Sequence, residues 1–159
     1  MDELTGRIGL VQGGQDVWAR AIVAVTGSPY HHVIVATSNT QCMSAEIPRA
    51  LLRPLRHFAG QITWLDIEAT PEQRQAAAWH ALALDGEPYN RISFALAGAH
   101  ALHIPTPRTL STWAERFGMD CVMLTCAAYQ AAGIKLLDDP VIASPGDMAT
   151  LGALTPATI

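Results

Sequence analysis

The sequence predicts an α+β fold built on an antiparallel sheet, and three observations carry that expectation. Short strand-like runs cluster in the first half of the chain. Helical runs cluster in the second. One of those helices, over 120–133, carries no charge after Asp120 and so has to be buried, with its alanines allowing close approach to a sheet. The 159 residues suit one domain over 1–159 with one sizeable core.

Each element has a local reason. "GRIGLVQGG" is a short strand closed by Gly13 and Gly14. "QDVWARAIVAVTG" follows as a helix, with Val17, Trp18, Ala21, Ile22 and Val25 at helical period and Gly27 as its stop. "HHVIVAT" and "QCMSAEI" form two strands joined by the turn-like "SNT". "ALLRPL" suits a sheet edge, because Pro54 would break a central ladder, and "QITWLDI" is a further strand. In "TPEQRQAAAWHALAL", Thr70 is a good N-cap, Pro71 fits the first helical position and Gln73 completes a capping box. "YNRISFALAGAHAL" and "RTLSTWAERFG" are helices around a Pro-rich joint. "DCVMLTCAAYQAAG" is the buried helix, ended by Gly133, and "SPGDMATL" starts a short last one.

Composition narrows the function. Half the residues are hydrophobic and 15% are charged, against about a quarter in ordinary soluble domains. Such an apolar surface points to a partner, a homo-oligomer or a greasy cleft. The ten basic residues are scattered and the net charge is −4, which argues against nucleic acid. "MDELTGRIGL" lacks the layout of a signal peptide, and no apolar run is long enough to span a membrane, so the expected location is cytoplasmic. A phage particle or signal-independent release stays open.

Three cysteines, Cys42, Cys121 and Cys126, argue against a disulfide framework. Cys121 opens the buried helix just after the cap Asp120. Free amides and the positive dipole end favour a thiolate there, while the Asp120 charge opposes it. A cysteine nucleophile needs a base, and the base needs an orienting group. His31 and His32 are adjacent on a strand and must point to opposite faces. With a three-residue turn at "SNT", His32 lies opposite Glu46 on one face; a two-residue turn sets it beside Ile47 instead. His57, His80, His100 and His103 are too loosely placed to suggest a role. A zinc site from His31, His32 and Cys42 lacks a fourth ligand. No serine-hydrolase elbow and no nucleotide loop is present.

Taken in order, "GRIGLVQGG", "AIVAVTGSPYHHVIVA", "SAEIPRALLRPL", "GEPYN" and "DCVMLTCAAYQAAGI" resemble the permuted NlpC-like cysteine hydrolases, the YiiX-like branch of the papain-like fold. The resemblance implies a circularly permuted papain-like domain in which the sheet packs on the cysteine helix. It implies Cys121 as nucleophile, His32 as base and Glu46 as the group that orients it. Tyr89, in a segment like the family's "P-Y-D", and Tyr30 would support the substrate. No metal or cofactor is implied. The substrate would be an amide or related acyl compound, such as cell-wall peptide or a lipid-linked amide, with acyltransfer and thioester cleavage left open. Val122, Ile34 and Asn90 depart from the family's serine, glycine and aspartate. The rival reading is a non-enzymatic assembly or binding module. If the enzyme reading holds, His32 rather than His31 faces Cys121, and Cys121 alkylates faster than Cys42 or Cys126.

Overall fold

The computed structural model describes residues 2–15 and 17–157, apart from the Trp18 side chain, so the expectation for Trp18 lies outside the described residues. The strands are β1 (Ile8–Gln12), β2 (Tyr30–Ala36), β3 (Gln41–Ala45), β4 (Ala50–Pro54), β5 (Ile62–Asp66) and β6 (Ala153–Pro156). The helices are α1 (Val17–Thr26), α2 (Pro71–Ala83), α3 (Arg91–Ala101), α4 (Arg108–Ala114), α5 (Cys121–Ala131) and α6 (Pro145–Met148). Six strands form one antiparallel sheet in the order β4-β3-β2-β1-β5-β6. The α+β expectation is met, and the Pro54 strand lies at an edge as its proline requires.

The β2–β3 hairpin has the register that a three-residue turn sets, with Ile34 opposite Ser44 and Ala36 opposite Cys42. That register puts the side chains of His32, Ser44 and Glu46 on one side of the sheet. Thr70 caps α2 as expected: its hydroxyl accepts from the Gln73 amide, and the Gln73 side chain accepts from the Thr70 amide. The strand β6 is an addition to the sequence reading. Its residues are all exposed, so no alternation of apolar and polar positions marks it.

Both faces of the sheet are covered. On one, Ile8, Leu10, Val33, Val35, Met43 and Leu65 pack with Val122, Leu124 and Tyr129 of α5, and with Ala77 and Ala81 of α2. The Tyr129 hydroxyl donates to the Gly6 carbonyl and ties α5 to the start of β1. On the other face, Val11, Ile34, Ala36, Cys42 and Trp64 pack beneath Leu55 and Phe58 of the helical turn after β4. The charge-free helix is thus central, as its composition demands. At such positions, burying one Leu or Val side chain stabilises by about 1.5–3 kcal/mol. Among the described residues, no helix is long and apolar enough to cross a membrane.

Candidate active site

The start of α5 is built by its cap. Asp120 Oδ1 accepts from the Met123 amide at 2.9 Å, and Oδ2 accepts from the Ser93 hydroxyl of α3 at 2.6 Å. Asn90, fully buried, caps α3 and donates from Nδ2 to the carbonyls of Ala114 and Gly118. An aspartate at this position would lack that amide donor, so asparagine here serves the joint between α3, α4 and α5. Cys121 is then the first helical residue, 6% exposed, with the Val33 amide of β2 donating toward its sulfur.

Cys121 borders a cavity of about 120 Å³. Ala21, Ile22 and Val25 of α1 form one wall and Phe94, Ala97 and Gly98 of α3 another. His31, Tyr89, Asp120, Thr26 and Ser144 supply its polar groups. Tyr89 thus lines the same cavity as Cys121. Tyr30 is buried in the main core and is not among the residues lining the cavity.

The expectation that His32 faces Cys121 is corrected: His31 lines the cavity, and His32 points through the other face of the sheet. The alternation argument holds, because the two rings do part company. The assignment of sides fails because His31 shares the side of Val33 and Val35, which pack on α5, while His32 shares that of Ile34 and Ala36. Val11 pairs with His32 and Gln12 with Tyr30, so His31 is the extra residue on β2. Gly14 makes room for the ring; a Cβ built there would lie 2.7 Å from His31 Cε1 and Nε2.

His32 instead belongs to a hydrogen-bonded chain behind the sheet. Its Nε2 is 2.7 Å from Ser44 Oγ, and Ser44 Oγ donates to Glu46 Oε1 at 2.9 Å. Ser44 has one proton and gives it to the carboxylate, so neutral His32 carries its proton on Nε2. Glu46 also receives Arg53 Nε at 3.2 Å and Nη2 at 2.7 Å. The ring rests 5.9 Å from that of Phe58. The expected His32–Glu46 partnership exists, through Ser44, on the face of the sheet away from the thiol.

Between the opposing helix amides and Asp120 charge, the balance at Cys121 falls toward the thiol. Burial, and then the Asp120 charge, push the Cys121 thiol well above its ordinary value despite the Val33, Val122 and Cys121 amides. Burial raises Cys42 and Cys126 to about 12. Asp120 is itself raised to about 6 by burial, against the hydrogen bonds it accepts. Burial, then Cys121 and Asp120, keep Tyr89 a phenol. Burial lowers His32 to about 4, against the pull of Glu46. A resting, protonated Cys121 thiol is the state this arrangement favours.

Among solved structures, that of metalloprotein YiiX from Escherichia coli O157:H7 is similar over 99% of this chain and 91% of that chain, with a TM-score of 0.57 and 18% sequence identity. The likeness is one of fold. No family model and no curated protein matches the chain. Metal binding belongs to that neighbour's description. Here His31 and His32 diverge across the sheet, and among the described residues no group of three or more His, Cys, Asp or Glu is placed to hold a metal ion.

Proposed function

We propose that the chain is a cysteine-dependent hydrolase of amide or related acyl bonds, on a permuted papain-like plan, with Cys121 as nucleophile and His31 as base. One observation carries the reading: Cys121 at a helix N-terminus and His31 on β2 border the same apolar cavity, together with Tyr89. The thiol starts protonated. His31 takes its proton as sulfur bonds to the carbonyl carbon, and the tetrahedral oxyanion forms beside the Cys121 amide and the Tyr89 hydroxyl. On collapse, the C–N or C–O bond breaks and His31 returns the proton to the leaving group. Water, deprotonated by His31, then releases the acyl group and restores the thiol. The cavity wall from Ala21 to Val25 and from Phe94 to Gly98 offers no charge to a polar substrate, which favours an acyl chain over a peptide at that position.

The test is turnover of amide, ester and thioester probes of increasing acyl length by the full chain. Cys121→Ala should abolish it. His31→Ala should lower it by roughly a hundredfold or more, and His32→Ala should leave turnover per folded molecule within a few-fold. Turnover that survives Cys121→Ala defeats the reading. The opposite ranking of the two histidines defeats the choice of base. A second reading has its own support: the thiol is 6% exposed and held protonated by burial and Asp120, as suits a binding module. That reading expects saturable fatty-acid binding, equal in Cys121→Ala, with no turnover of any probe.

A further inference from the structure

Helix α3, its connection and α4 form an arm of unusual composition, exposed at the end of α3 and beyond. Leu102 is 58% exposed and Ile104 52%. They flank His103, whose φ of 57° turns the chain in the left-handed region, while the Ile104 amide returns to the Ala99 carbonyl. On α4 and the turn after it, Ser111 and Ala114 face inward. Leu110, Trp113 and Phe117 recur at helical spacing on the outer side, all exposed, with the Trp113 and Phe117 rings 4.7 Å apart.

The charge on this arm runs against the rest of the chain. Residues 91–117 hold Arg91, Arg108 and Arg116 against Glu115 alone, net +2 in a chain of net −4, so the remainder carries −6. All four charged side chains are exposed, as are His100 and His103. The arm is also continuous with the cavity, because α3 supplies Phe94, Ala97 and Gly98 to its wall.

We propose that this arm docks the protein on the surface of an anionic lipid membrane, with Leu110, Trp113 and Phe117 entering the acyl boundary and the arginines meeting headgroups. Apolar side chains alone would suit a second copy of the chain equally. The local positive charge selects the membrane over a twofold pairing of this face with itself, which would set net +2 against net +2. Docking places the α3 wall of the cavity next to lipid acyl chains. Only that purpose rests on the acyl reading of the cavity; the docking itself needs no turnover.

The test is flotation of the full chain with vesicles of phosphatidylcholine alone and of phosphatidylcholine mixed with phosphatidylglycerol. Flotation should occur with the mixed vesicles and weaken as salt is added. Leu110→Ser/Trp113→Ser should lower it roughly tenfold, and Arg108→Glu/Arg116→Glu should lower it roughly tenfold or more on the mixed vesicles. Circular dichroism reports whether each variant is folded. A soluble short-chain thioester should be turned over equally by all folded forms. Absent flotation, or flotation indifferent to both double variants, overturns the docking whatever the thioester shows. Self-association in solution that Leu110→Ser/Trp113→Ser abolishes, without flotation, assigns the face to a second copy and also overturns it. Flotation without thioester turnover supports the docking and counts only against the hydrolase.

Discussion

His31 and His32 share a peptide bond, yet one borders the thiol cavity and the other is sealed into a hydrogen-bonded chain behind the sheet. Gly14 is what allows the first arrangement. Gly14→Ala would bring a Cβ to 2.7 Å from the His31 ring and to 2.5 Å from Ala19 Cβ, so the ring or α1 must shift. The expected outcome is a stability loss of about 1–3 kcal/mol and a clear fall in probe turnover, with Cys121 alkylation little changed. Thermal unfolding, turnover and peptide mass mapping on the same sample check the three parts. Strand alternation already separated the two histidines in the sequence. Their sides were not legible, because Val33 and Val35 are buried on one face and Ile34 and Ala36 on the other. A strand covered on both sides carries no polar stripe to mark its outer face. Two adjacent glycines before α1 were the available hint that a side chain needed room there.

At the scale of elements, the N-terminus of α5 sets two opposing fields on one sulfur. The helix amides favour negative charge and the cap carboxylate opposes it, and burial adds to the carboxylate's effect. Asp120→Asn separates these contributions, since an asparagine oxygen can still accept from Met123. Cys121 should then alkylate several-fold faster at neutral pH with the fold intact, as followed by a timed labelling pulse. Asp120→Ala should remove the same charge and also cost about 1 kcal/mol of stability through the lost cap. An unchanged Cys121 rate in Asp120→Asn would mean that burial alone governs the thiol. Elements with their own local chemistry were legible: the capping box on Thr70 and Gln73, the turn at 38–40, and the proline-bearing edge strand. By contrast, β6 pairs with β5 through exposed residues that end in Pro156, and its place is set by where α6 delivers the chain rather than by its own pattern.

For the whole molecule, two buried groups on opposite sides of the sheet pull acid stability in opposite directions. His32 titrates near 6.5 when unfolded and near 4 when folded. As pH falls through that window the unfolded chain binds the proton first, so stability is lost. Asp120 titrates near 3.8 when unfolded and near 6 when folded. Between those values the folded chain binds the proton first, so the standing cost of a buried carboxylate is relieved and stability rises as pH falls. Each effect is on the order of 3 kcal/mol, and between pH 6 and 4 they oppose each other. The wild-type melting temperature should therefore change little across that range. Asp120→Asn removes the compensating rise and leaves the His32 loss, so its melting temperature should drop on acidification by roughly 5 °C or more. His32→Gln removes the loss, and its melting temperature should rise over the same interval. Glu46, which burial would raise but Arg53 and Ser44 hold below its ordinary 4.5, keeps its contribution until the pH falls through that lowered value, where all three proteins should lose stability together. Melting curves of the three at closely spaced pH values decide the matter. Parallel profiles for wild type and both variants would show that neither group is buried as the folded structure places it.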